Sequence, residues 1–98
     1  TVHADTGQQL SGTYAVTIFF GCDATAGSDQ DYYIQRRDAA NAANIWQQEL
    51  GFKNSAQLNR QLTFTMRLNT GERLRVLNKM ISTFTTEQVS IWLVRTGA

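Results

Sequence analysis

Two segments of this chain constrain its fold more than any others, because each is apolar on both sides. In GTYAVTIFFGC, residues 12–22, Tyr14, Val16, Ile18 and Phe20 share one face of a period-two strand and Ala15, Thr17 and Phe19 the other. In VSIWLVR, residues 89–95, Val89, Ile91 and Leu93 lie on one face, Trp92 and Val94 on the other. An antiparallel sheet with one face in water reads apolar-in and polar-out, so a strand apolar on both faces needs cover on both. In a chain of 98 residues the expected outer cover is another subunit. Loops or a helix of the same chain are the alternative cover.

The stretch QLTFTMRLNTGERLRV, residues 61–76, gives the contrast. Leu62, Phe64, Met66 and Leu68 alternate with Thr63, Thr65 and Arg67, and after Asn69, Thr70 and Gly71 the alternation resumes with Leu74 and Val76 against Arg73 and Arg75. This is the pattern of half-wet strands. The expected form is a hairpin, with Gly71 taking the positive φ that tight turns often need.

Composition narrows the function classes. Nine Lys and Arg against eight acids leave a net charge of +1, which gives no electrostatic footprint for nucleic acid or an anionic membrane surface. No run approaches the roughly 18 apolar residues of a membrane span, and TVHADTGQQL lacks the regions of a signal peptide. The lone Cys22 cannot form an intrachain disulfide. With no proline and an opening Thr1, the expectation is one compact domain of something longer, residues 1–11 connecting it to an upstream shaft or stalk.

Val2 and Ala4 suit a short first strand, residues 23–31 (DATAGSDQD) form a loop by composition, and a strand follows from Tyr32 to Arg37. Residues 38–52 are ambiguous. Asp38 as N-cap, several alanines and Gly51 at a C′ position favour a helix over about 38–50, whereas a turn to Asn44 followed by a strand places Trp46, Gln48 and Leu50 on one face. Residues 53–60 and 79–88 read as connections, the second with Met80, Ile81 and Phe84 over the core.

No catalytic constellation is recognisable. His3, the sole histidine, sits in the polar N-terminal stretch near Asp5, and the carboxylates show no acid–base pair, so a non-enzymatic domain without cofactor is expected. Candidate ligand-binding residues are Asp23, Asp29 and Asp31, whose oxygens suit calcium although the EF-hand spacing is absent, and Arg36 and Arg37, which suit acidic sugars. Arg60 offers the same chemistry, and Tyr32, Tyr33 and Trp46 could stack on a glycan. Glu72 is expected to order its own turn.

The strands also resemble a known family. MRLNTGERLRV is similar to the pattern L-x-L-x-x-G-[DE]-x-[VL]-x-[VL] of complement globular-head and tumour-necrosis-factor-like jelly rolls, through Met66, Leu68, Gly71, Glu72, Leu74 and Val76. GTYAVTIFF resembles the G-x-Y-x-[FV]-x-[FYI] strand through Gly12, Tyr14, Val16 and Ile18, and YYIQRRD the V-x-L-x-[KR]-[ND] strand through Tyr32, Ile34 and Arg36. VSIWLV resembles the closing F-S-G-F-L-[LV] strand through Ser90, Leu93 and Val94, with Trp92 as the aromatic. Ile91 stands where the family often has Gly, Asp38 to Asn44 lacks the usual Asn-Gly, and few residues precede Gly12.

The resemblance implies an all-β, two-sheet antiparallel jelly-roll sandwich of about ten short strands, assembled as a homotrimer. The first long strand, the Gln61 to Leu68 strand and the last strand would share the inner sheet. Tyr14, Val16, Ile18, Leu62, Phe64, Met66, Leu68, Leu74 and Val76 would fill the core, and Ala15, Thr17, Phe19, Trp92 and Val94 the trimer interface. By analogy of fold, the function is the distal head of a phage or viral fibre, on the virion or an extracellular surface, contacting a host glycan or protein receptor through its loops. A trimerisation cap without ligand, a bacterial surface or spore module of the complement-head kind, and a monomeric α+β inhibitor or regulator are the alternatives.

Overall fold

The computed structural model describes residues 2–24, 30–52, 57–78 and 84–98, and within them every regular element is a β-strand. The strands are β1 (Val2–Asp5), β2 (Gly12–Ala24), β3 (Gln30–Arg37), β4 (Asn44–Phe52), β5 (Gln57–Leu68), β6 (Arg73–Asn78) and β7 (Phe84–Gly97). They form two antiparallel sheets, one of four strands in the order β1-β6-β3-β4 and one of three in the order β5-β2-β7. The two long two-faced segments are thus neighbours, Ile18 pairing with Ile91 and Thr17 with Trp92. β5, with its half-wet alternation, flanks β2 on the other side, Val16 opposite Phe64 and Tyr14 opposite Met66.

The sheets close on a core that follows the period-two reading. Tyr14, Val16, Ile18 and Phe20 of β2 are buried against Tyr32 and Ile34 of β3 and Leu74 and Val76 of β6, with Leu68 at the end of β5. Leu62, Phe64 and Met66 of β5 and Val89, Ile91 and Leu93 of β7 pack against this cluster, partly buried. Phe20 reaches across to the other sheet, its ring 4.9 Å from that of Tyr32 and 5.3 Å from that of Phe52. Offset and tilted aromatic contacts of this kind add about 0.5 to 1.5 kcal/mol beyond their buried area.

Residues 38–50 are not a helix. Asp38 does cap a turn, its carboxylate accepting the Ala42 N–H at 2.8 Å and its own N–H donating to the Ala43 carbonyl at 3.0 Å. Asn41 then adopts φ 55°, a left-handed conformation that ends a helical turn, and the chain returns as β4 with Asn44 opposite Arg37. The choice follows from burial. All four alanines of this segment, Ala39, Ala40, Ala42 and Ala43, stay exposed, while the strand carries Trp46, Leu50 and Phe52 onto the core. Gln48, on the same face by parity, is exposed, and Gly51 pairs with Asp31 inside the strand.

The stretch at 61–76 is also corrected. β5 and β6 are joined by a tight turn, the Glu72 N–H donating to the Asn69 carbonyl at 3.0 Å with Gly71 at φ 85°, but they do not pair with each other. The turn is a corner between sheets. Leu62, Phe64 and Met66 face Leu74 and Val76 through the core from opposite layers, a relation that alternation alone cannot tell from a hairpin. Glu72 does order this turn: it accepts the Asn69 N–H at 2.7 Å and binds the Arg36 guanidinium of β3 at 2.6 Å.

The N-terminal stretch is part of the fold rather than a bare connection. β1 pairs with β6, and beyond it the Thr6 and Gln9 N–H groups donate to the carbonyls of Leu74 and Glu72, while Gly71 N–H donates to the Gln9 carbonyl. His3 accordingly lies in a strand, its ring 6.3 Å from that of Tyr32. Seven strands are found among the described residues instead of about ten, and three are long, at 13, 12 and 14 residues. β5 and β7 therefore absorb residues 57–60 and 84–88 that composition had assigned to connections. Met80 and Ile81 lie outside the described residues. Gly12, at the start of β2, is required by close approach, since a Cβ there would lie 2.5 Å from Arg95 Nε and 2.7 Å from the Gly97 carbonyl oxygen.

Candidate functional site

Both outer faces of the sandwich present side chains to the surroundings, and they differ in chemistry. On β5-β2-β7 the register sets Thr65, Ala15 and Val94 in one row, Thr63, Thr17 and Trp92 in the next, and Gln61, Phe19 and Ser90 in the third. Trp92 is 64% exposed, Val94 62% and Phe19 40%. All five residues expected at a subunit interface, Ala15, Thr17, Phe19, Trp92 and Val94, therefore share this face. The rows contain no charged side chain. β-branched and aromatic residues make the strands, and the core takes only the alternate set, so the second apolar set is left facing outward.

The outer face of β1-β6-β3-β4 carries arginines. Arg37 of β3 is opposite Arg73 of β6, and Gln35 is opposite both Arg75 of β6 and Gln47 of β4. Gln35 bridges its neighbours: its Oε1 accepts from Arg75 Nε at 2.7 Å and its amide donates to Gln47 Oε1 at 2.6 Å. Arg37 is held by neutral acceptors, the Asn41 side chain at 2.9 Å, the Asn41 carbonyl at 2.7 Å and the Asn44 side chain at 2.8 Å. Arg73 reaches Asp5 at 3.4 Å through one terminal nitrogen, while its Nε is buried without a hydrogen-bond partner. Burial lowers the Arg75 pKa, and the charges of Arg37 and Arg73 lower it further against the opposing effect of Asp5. Like charges directly opposite across strands are destabilising, and Asp5, opposite Arg75 in register, relieves this positive potential only in part.

Of the five residues expected in ligand-binding loops, those whose side chains are described, Asp31, Arg36 and Arg37, do not converge. Asp23 lies within β2, in register with Gln57 and Thr86, and Asp29 lies outside the described residues. Asp31, Arg36 and Arg37 belong to strand β3, not to a loop. Asp31 is 6% exposed near one end of that strand and Arg37 is at the other end, about 20 Å away at the rise of an extended chain. Arg36 points inward and is engaged by Glu72, donating from Nε at 2.9 Å as well as through the ion pair. Burial would raise the Glu72 pKa, but the Asn69 N–H and the Arg36 guanidinium together hold it below the ordinary value. Among the described residues no three His, Cys, Asp or Glu side chains are gathered to hold a metal ion.

Of the aromatics considered for glycan stacking, Tyr32 is fully buried and Trp46 packs on Phe64 at 6.3 Å. Sequence reasoning passed over Arg73, Arg75 and Gln35. Arg73 and Arg75 read as the wet face of a strand, and only the register that sets them beside Arg37 makes a cluster.

No family model matches the chain, and neither a curated protein nor a solved structure matches it.

Proposed function

We propose that this chain is the trimeric jelly-roll head of a phage or viral fibre, joining three subunits at the fibre tip and attaching to a host surface. The observation that carries the reading is the outer face of β5-β2-β7, where Phe19, Trp92 and Val94 stand exposed in adjacent rows free of charge. Covering the exposed parts of Phe19 and Trp92 alone removes about 240 Å² of largely apolar surface, worth about 6 kcal/mol per subunit. That is comparable with the whole stability of a small domain.

Strand order supports the jelly roll. β3 pairs with β4, β2 with β5 and β1 with β6, three nested antiparallel pairs, and the contacts β2-β7 and β3-β6 join them into two sheets. A long double ribbon folded over on itself makes this nesting. The attachment half of the proposal rests on fold analogy and is separable from the assembly half. Light scattering tests assembly: the expected mass is about three times the 11.0 kDa of one chain. A monomer at every accessible concentration would remove the trimer. Saturable cell binding separates a receptor-binding head from a cap that only holds three chains in register.

A further inference from the structure

The geometry points to an anion-binding site on the outer face of β1-β6-β3-β4, formed by Arg37, Arg73 and Arg75, that takes the acidic group of a saccharide. This names a ligand class for the attachment role proposed above and rests on that reading. Three arginines are neighbours there because Arg37 and Arg73 are opposed in register and Arg75 follows Arg73 on the same side of β6. Asp5, opposite Arg75 in register and 3.4 Å from Arg73, and Asp38 beside Arg37 offset part of this charge, and three guanidinium groups against two carboxylates leave an excess of positive charge. Arg37 is pinned by amide oxygens of Asn41 and Asn44, and Arg75 by the amide oxygen of Gln35, so the hydrogen bonds that orient both come from neutral groups.

Arg75 keeps its two terminal nitrogens without hydrogen bonds among the described residues, and the Gln35–Gln47 bond fixes the group that orients it. A guanidinium held at Nε with both terminal nitrogens open suits bidentate contact with an oxyanion. Arg73 shares only a 3.4 Å contact with Asp5. Asp5 is also opposite Arg75 in register and Asp38 adjoins Arg37, whereas the remaining acids of this face are remote. Glu49 is opposite Tyr33, one row beyond Gln35 and two strands from Arg75, about 12 Å from it by strand spacing and rise, and Asp31 is a row further still. At such separations in physiological salt their screening of the cluster is weak. An acidic saccharide fits better than an isolated ion, because the neighbouring exposed side chains of Gln47 and Asn44 offer amide partners for hydroxyl groups.

The test is titration of the ¹⁵N-labelled protein with sialyllactose, with a heparin-derived tetrasaccharide, and with lactose as the neutral control, while the mass is followed in the same solutions. The expected result is saturable amide shifts on β3 and β6 with either acidic saccharide, weakened by salt and absent with lactose. Arg75→Gln should weaken binding about tenfold, the loss of one charge-assisted pair, and Arg67→Gln, on the opposite sheet, should leave it unchanged. Binding by only one acidic saccharide identifies carboxylate or sulfate as the group. Shifts that map elsewhere, an unaffected Arg75→Gln, or no shift at millimolar saccharide would each overturn the site. Should Arg75→Gln not fold, the shift map of the unaltered chain decides alone. A monomer that binds keeps this site and refutes the trimer; a trimer that does not bind does the reverse.

Discussion

Replacing Trp92 by Asp tests the exposed face of β5-β2-β7 most directly. The side chain is 64% exposed in the single chain, so about 160 Å² of a tryptophan's roughly 250 Å² remains for a partner to cover. At about 25 cal/mol per Å² this is about 4 kcal/mol per subunit and about 12 kcal/mol per trimer. Each 1.4 kcal/mol is tenfold, so the three-body association constant falls by nearly nine powers of ten, and the half-dissociation concentration rises by its square root, more than four powers. Burying the new carboxylate adds to the loss. The subunit itself should survive, because β7 is held to the core by Val89, Ile91 and Leu93 on its other face. Sedimentation and circular dichroism together check this: the variant should be a monomer with unchanged β signal and a lower melting temperature than the assembled protein. An unchanged mass and melting temperature would refute the assignment of this face.

Gly71→Ala should cost about 1 to 2 kcal/mol or more in urea denaturation, since residue 71 has φ 85° and the added Cβ would lie 2.9 Å from that of Ala39. Gly7→Ala, at φ 71° with nothing within 4 Å, should cost less, and equal losses would show that the Ala39 contact is immaterial. Glu72→Gln should destabilise by about 2 kcal/mol, less than the 3 to 5 of a fully buried pair because the Arg36 side chain keeps 20% exposure. The Glu72 pKa is depressed in the folded chain, so its contribution is complete above the ordinary value of 4.5 and is lost as pH falls through the folded value. Thermal unfolding from neutral pH into that acidic window should therefore decline more steeply for the parent than for Glu72→Gln, and parallel curves would refute the linkage.

What was legible in the sequence was whatever the backbone itself imposes. Side chains alternate across an extended chain, so the sorting of Tyr14, Val16, Ile18 and Phe20 inward from Ala15, Thr17 and Phe19 outward needed no knowledge of neighbours, and the same holds for β7. Local signals failed where two structures satisfy them equally. Asp38 caps its turn whether a helix or a strand follows, and the decision falls to Trp46, Leu50 and Phe52, whose burial depends on a core built by distant segments. Gly71 makes a tight turn in a hairpin or at a corner between sheets, and what separates them is the Glu72–Arg36 pair and the three backbone bonds made by Thr6, Gln9 and Gly71. The arginine cluster was illegible for the same reason. Arg37 and Arg73 are far apart in sequence and become neighbours only through the β3-β6 register.

The two outer faces bear on each other. Assembly through the charge-free rows of β5-β2-β7, as proposed, would leave β1-β6-β3-β4 on the outside of the trimer, since the sheets are opposite layers of one sandwich. Each trimer would then present three copies of the Arg37, Arg73 and Arg75 cluster, held at fixed spacing by rigid sheets instead of loops. A single exposed guanidinium cluster binds a monovalent acidic saccharide weakly, because water and salt compete for every contact. Three copies facing a dense glycan surface turn the second and third contacts into intramolecular events, and avidity can exceed single-site affinity by about 10² to 10⁴ without any new contact. The apolar face would therefore set the strength of attachment as well as the oligomeric state, and Trp92→Asp should abolish adhesion to an acidic glycan surface while leaving the single-site shifts of sialyllactose intact.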